Sequence, residues 1–205
     1  MNCCYIICGG PEHCRTVKIP EDAYVICADS GYDKAYSAGI KPNLILGDFD
    51  SIKSELPCGI QTITASTHKD DTDTMLAVRT ALEKGCDEII LVSACGGRTD
   101  HTLANIATLL FIREHGVKAS VIGDETNVYI IGNETLKLDA DTSRYLSVFA
   151  ISDEATVSIS GCAYPLDSYV MKRSFPIGVS NEFIEGKEME ISCESGLVVV
   201  LTVKK

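Results

Sequence analysis

The sequence predicts an α/β plus all-β protein, with a mostly parallel-sheet α/β domain over residues 1–131 and a β-sandwich domain over residues 132–205. Three observations carry this expectation. Up to about residue 131, short apolar runs alternate with helix-period segments, the texture of strands joined by crossover helices. Beyond about residue 133 the texture changes to period-two segments separated by turn clusters, which is that of antiparallel strands. Finally, 205 residues of which 45% are hydrophobic supply enough apolar chain for one large core or two small ones.

In the first half, strands are expected at residues 3–8, 24–28, 44–46, 61–63, 88–93 and 118–122, most of them ending at Gly, Asp or Ser. The clearest helix runs from about residue 100 to 114. Leu103, Ile106, Ala107 and Leu110 follow an i, i+3, i+4, i+7 spacing that predicts one buried face, and Gly116 supplies a stop. A second helix starts near Asp73, turns Leu76, Leu82 and intervening alanines inward, and ends at Gly85 after Lys84, a cation suited to a helix C-terminus. The second half offers strands at 145–151, 156–160, 188–192 and 197–203. About seventy residues make a small core, so this half is expected to pack on a neighbour, including across a dimer.

Composition excludes several classes. With 29 acidic against 18 basic residues the formal charge is -11, a sign that repels a nucleic-acid backbone. An acidic chain that handles phosphate must neutralise it locally, which directs attention to divalent cations held by clustered carboxylates. The ten cysteines sit largely in apolar runs and form no C-x-x-C pair, so they read as reduced core thiols rather than a disulfide framework or a zinc site. No basic-plus-apolar leader and no apolar run of membrane-spanning length is present, so the expected location is the cytoplasm, without membrane association.

Four acidic motifs fall at strand ends or helix starts: Ala28-Asp29-Ser30-Gly31, Gly47-Asp48-Phe49-Asp50-Ser51, Lys69-Asp70-Asp71-Thr72-Asp73 and Gly96-Gly97-Arg98-Thr99-Asp100-His101. The carboxyl edges of parallel strands line one crevice, so these segments can converge. Read as an extended segment, Asp48 and Asp50 share a face while Phe49 packs behind, which presents two hard oxygen ligands suited to magnesium; a solvated polar turn is the other reading. Asp70 fits a helix cap as well as a site acid, and Thr72 offers a hydroxyl to a ligand or a cap. Glycine backbone at Gly96 and Gly97, the Arg98 fork and a helix N-terminus together suit phosphate, although Asp100 also fits the helix N-cap and His101 an exposed first-turn residue. Gly9 and Gly10 give a similar, weaker signal. P-loop, dinucleotide-fingerprint, zincin and nucleophile-elbow motifs are all missing from the sequence. On their residues alone the motifs reach a magnesium-dependent, phosphate-handling enzyme.

The ordered set A-D-S-G, G-D-F-D-S, K-D-D-T-D and G-G-R-T-D-H, followed by G-C-A-Y-P-L and G-V-S-N-E-F in the β half, resembles the thiamine pyrophosphokinase family over almost the whole chain. The resemblance implies transfer of the β,γ-diphosphate of ATP to the thiamine hydroxyl, with Mg2+ as cofactor, in a homodimer whose active sites lie between subunits. By the same resemblance Asp48, Asp50, Asp73 and Asp100 surround the metal and the triphosphate, and Asp70 joins them as a catalytic acidic position. Asp29, Thr72, Gly97, Arg98 and His101 serve ATP, and Tyr164, Ser180 and Asn181 contact thiamine. The chain departs from some members in having no Trp, so that Tyr164 is the aromatic expected to stack on thiamine. Asp70 and Asp100 remain alternative acceptors of the hydroxyl proton. A metal-dependent nucleotide diphosphate hydrolase and a non-catalytic thiamine or nucleotide binder are the competing functions.

Overall fold

The computed structural model describes residues 2–14, 16–64 and 71–205. Asp70 therefore lies outside the described residues. The chain divides into two compact units, 1–124 and 125–205, parting ahead of the boundary read from sequence texture.

The first unit contains β1 (Cys3–Ile7), β2 (Tyr24–Ala28), α1 (Gly31–Ser37), β3 (Leu44–Gly47), β4 (Gln61–Thr64), α2 (Asp73–Glu83), β5 (Glu88–Val92), α3 (Thr99–Glu114) and β6 (Lys118–Ile122). Its strands lie in the order β6-β5-β1-β2-β3-β4, and every pairing among them is parallel. β1, β2, β3 and β5 are buried almost throughout, as strands covered on both faces must be, which explains their continuous apolar runs. Tyr32 and Ala35 of α1 pack with Ile7, Val25 and Ile45 in one core cluster.

Two local expectations change. α3 buries Thr108, Leu109 and Ile112, and Leu103 is 62% exposed. The segment is apolar on more than one side, so spacing alone offered more than one face. α2 does turn Ala77, Val78 and Ala81 inward, while Leu76 and Leu82 are only half-buried.

The second unit contains β7 (Thr126–Ile131), β8 (Glu134–Leu138), β9 (Arg144–Ala150), β10 (Glu154–Ser160), β11 (Leu166–Lys172), β12 (Asn181–Glu182), β13 (Met189–Ser195) and β14 (Val198–Lys204). Within it, β12-β9-β14-β7 and β11-β10-β13-β8 are two antiparallel sets. Burial alternates along β9 and β10, and the inward residues Leu146, Val148, Val157, Ile159, Ile191 and Val200 share one core cluster. That is a sandwich core. β7 pairs with β14 from Thr126 to Ile131, which ties the start of this unit to its last strand.

Candidate active site

β1 to β4 are laid to one side of the first unit's sheet, and the chain then returns to place β5 and β6 beyond β1. At such a reversal the loops leaving neighbouring strands part, and a crevice opens outside their carboxyl ends. A cavity of about 760 Å³ lies there, lined among others by Gly9, Gly10, Asp29, Thr72, Arg98 and His101. The loop after β1 is held closely between its neighbours: a Cβ on Gly10 would stand 2.2 Å from the Ser93 carbonyl oxygen, and one on Gly9 would stand 2.3 Å from Ser30 Oγ. Gly96 and Gly97 have φ of +84° and +65°, the left-handed region that side chains disfavour. Gly97, Arg98, Asp100 and His101 are all exposed at the start of α3, where the N-cap residue Arg98 offers no side-chain cap and a helix N-terminus favours an anion.

The loop after β3 differs from the extended segment expected. Phe49 has φ of +64°, and the Asp50 N–H donates to Asp48 Oδ1 over 3.3 Å, so the residues form a turn. Phe49 still packs against the core behind the turn, and the two carboxylates meet for a different reason than alternation. Asp29 joins them from the end of β2, bringing one carboxylate oxygen from each of Asp29, Asp48 and Asp50 within 4.8 Å of one another. Asp29 itself sits at φ +48°, its N–H donating to Leu46 O at 2.7 Å and its Oδ2 accepting from the Ser51 hydroxyl. Its Oδ1 is buried with no hydrogen-bond partner. The negative charge of Asp48 raises the pKa of Asp50 from its ordinary value, helped by a hydrogen bond between the two, slight desolvation, and the charges of Asp29 and Asp73. A buried unpartnered carboxylate oxygen and mutually repelling acids fit a hard divalent cation, which would neutralise both. Asp73, the first residue of α2, lines the cavity but stands outside this trio, as does Asp100.

Asp100 is not the cap of α3. It lies within the first turn and is gripped by the Arg98 fork, with Nε to Oδ1 at 3.1 Å and Nη2 to Oδ2 at 2.5 Å, while the His101 N–H donates to Oδ1 at 3.0 Å. The guanidinium's hydrogen bond holds the Asp100 carboxyl below its ordinary pKa, and the carboxylate raises that of Arg98. Thr72 is the cap of α2, its Oγ1 accepting from the Met75 N–H at 3.2 Å. Cys8 lines the crevice, but burial pushes its thiol up to about 12, which keeps it from acting as a nucleophile.

In the second unit, Tyr164 is 65% exposed, and Ser180 is exposed at φ +58° with its N–H donating to Ser147 Oγ at 3.1 Å. Asn181 is buried, 7% exposed, with its amide turned onto the backbone of Tyr164.

Sequence reading missed several supporting residues. Asp33, on α1, accepts from the N–H groups of Lys53 and Ser54 at 3.0 and 2.8 Å and so anchors the far end of the acidic turn. Asn105 Nδ2 donates to Ala94 O at 2.6 Å and ties α3 to the loop after β5. Ser51 closes the G-D-F-D-S motif, and its place there was the one available signal; Asp33 and Asn105 act across 21 and 11 residues and left none.

The fold and site together define a class: a parallel α/β unit carrying a glycine-lined crevice and a carboxylate trio at its strand ends, followed by an antiparallel sandwich. Comparison with known proteins narrows this. Residues 18–121 match the model of the thiamin pyrophosphokinase catalytic domain and residues 133–198 that of the thiamin pyrophosphokinase vitamin B1 binding domain. The chain belongs to the thiamin pyrophosphokinase family. It is similar to thiamine pyrophosphokinase of Bacillus subtilis, with 29% identity over 206 residues that cover 96% of each chain. Solved structures agree. The crystal structure of the Bacillus subtilis enzyme superposes over 100% of both chains with a TM-score of 0.89 at 27% identity. That of thiamin pyrophosphokinase from Geobacillus thermodenitrificans covers 99% of this chain and 98% of its own, with a TM-score of 0.82 at 25% identity.

Proposed function

We propose that the chain transfers the β,γ-diphosphate of ATP to the hydroxyl of thiamine, releasing AMP. Membership of the family through both of its domain models supports the reaction. The observation that carries the chemistry is the convergence of Asp29, Asp48 and Asp50, with one buried unpartnered oxygen, beside the glycine-lined crevice. In this reading Asp48 and Asp50 hold Mg2+ with help from Asp29, and Asp73 and Asp100 complete the acidic wall. When bound, the cation neutralises phosphate charge. The triphosphate lies against the N–H groups around Gly97 and at the start of α3, with Thr72 and His101 at the rim and Arg98 exchanging Asp100 for a phosphate oxygen. The thiamine hydroxyl attacks the β-phosphorus in line, and AMP departs opposite. The Arg98 contact makes Asp100 a weaker base only until Arg98 turns to phosphate, so Asp100 stays an acceptor for the hydroxyl proton in the loaded site. Asp70 is the other acid in that role.

Thiamine is held by the second unit, where the exposed ring of Tyr164 suits its cationic ring system and Ser180 offers a hydroxyl. Exposed Phe175, Ile177 and Val179 support a homodimer in which these apolar groups are covered by a second copy. Ten free thiols fit a reducing cytoplasm, and no helix among the described residues is long and apolar enough to cross a membrane.

Incubation with ATP, Mg2+ and thiamine, followed by product separation, tests the reaction. AMP and thiamine diphosphate should appear in equal amounts. ADP with thiamine monophosphate would overturn the position of attack, and AMP formed without thiamine would make the protein a hydrolase.

A further inference from the structure

Asn181 carries a polar side chain in a place where little water reaches it, and its amide is fully engaged. Oδ1 accepts from the Tyr164 N–H at 3.1 Å and the Glu182 N–H at 2.9 Å, while Nδ2 donates to the Tyr164 carbonyl at 2.7 Å and to Cys162 Sγ at 3.4 Å. The partners fix the orientation of the amide, because a flipped group would set its N–H donors against two backbone N–H groups. The neighbouring backbone pairs as a strand does, with the Ala163 N–H on Glu182 O at 3.0 Å and a bridge between Cys162 and Phe183. At Tyr164 the side chain of Asn181 takes the place of a partner peptide and satisfies both the N–H and the C=O of that residue.

We propose that Asn181 is a positioning residue: it does not touch substrate but clamps the peptide of Tyr164 from both sides, so that an aromatic ring 65% exposed projects from a fixed backbone. This rests on the reading of Tyr164 as the ring that meets thiamine. Holding that backbone before binding removes ordering that the ligand would otherwise have to impose, so the clamp acts on thiamine affinity. Recognition by hydrogen bonding then falls to exposed Ser180, whose own backbone is held at φ +58°.

The chain contains no tryptophan, so Tyr164→Trp creates a single indole reporter at the proposed contact. In that protein Asn181→Ala should lower the indole's steady-state fluorescence anisotropy without ligand and raise the thiamine KM by about tenfold, the factor one lost buried hydrogen bond can supply, with the ATP KM unchanged. Asn181→Asp keeps the two acceptor contacts but sets a carboxylate oxygen against the Tyr164 carbonyl, so it should lower the anisotropy and raise the thiamine KM at least as far as Asn181→Ala; it also carries the test if Asn181→Ala does not fold. In the natural background, adding Asn181→Ala to Tyr164→Ala should raise the thiamine KM no further than Tyr164→Ala alone. An unchanged anisotropy with a raised KM would overturn the clamp and make Asn181 a direct ligand of thiamine. A lowered anisotropy, with Tyr164→Ala leaving the thiamine KM untouched, would uphold the clamp while overturning the reading of Tyr164 on which its function depends.

Discussion

The acidic turn after β3 places charges where they oppose one another. The pKa of Asp50 is raised from its ordinary value because the charge of Asp48 lies beside it. A folded-state pKa raised above the unfolded value means that ionisation opposes folding: the penalty is absent below the ordinary range, grows as pH rises through it, and is complete above the raised value. Asp50→Asn should therefore raise the melting temperature of metal-free protein at neutral pH, and lower it little or not at all in acid, while reducing kcat by on the order of 100-fold through loss of a charge at the cation. Thermal melts at two pH values and initial rates check both halves; a melting temperature that falls at neutral pH would show that Asp50 is not held under repulsion. G-D-F-D-S announced this site because its acids are adjacent in sequence. Its geometry was not legible: an alternating reading assumes extended backbone, whereas Phe49 at φ +64° turns the chain. Nor could the inward facing of Asn181 be read, since a polar residue in a turn segment gives no sign of burial until its partners at Tyr164 are known.

Elements place these residues through their ends more than through their lengths. α2 begins where Thr72 caps it, and that cap sets Asp73 on the rim of the crevice. Replacing Thr72 by Ala should cost about 1 kcal/mol of folding stability, whereas Ser should retain nearly all of it, as measured by denaturant titration. If Ala costs nothing, the start of α2 is held by packing alone. β1, β2, β3 and β5 were legible because a parallel sheet covered on both faces demands unbroken apolar runs. The buried side of α3 was not: Leu103 and Leu109 are chemically alike, and only the position of the sheet decides that Leu109 is covered. In the second unit, β8 and β11 lie at the two ends of their sheet and bury far fewer residues than the central strands β10 and β13, so their period-two signal was weaker.

At the scale of the whole molecule, the two units divide the proposed work, with acids and glycines in the first and the exposed aromatic in the second. If active sites form between two copies, Asp48→Asn and Tyr164→Ala damage different chains of one site. Mixed dimers of the two variants should then regain up to about half of the activity of an undamaged dimer, since one site is intact and the other carries both lesions. Subunit exchange followed by separation of tagged heterodimers provides the measurement; confirmed heterodimers without activity would place each site within one chain.

In the proposed reading, where Arg98 takes phosphate and Asp100 belongs to the acidic wall around the cation, the grip of Arg98 on Asp100 makes ligand binding an exchange of partners. An incoming phosphate that takes the guanidinium releases a carboxylate, and a cation that takes the carboxylate releases the guanidinium. Each event removes the obstacle to the other, so nucleotide and cation should bind with positive cooperativity, and linkage requires the effect to be equal in both directions. Because both side chains are well exposed, 72% and 63%, the coupling should be modest and should weaken further as salt is added. Titrating Mg2+ with and without a non-hydrolysable ATP analogue reads it directly. In Arg98→Ala, where Asp100 is already released, the nucleotide should lose this part of its influence on the cation.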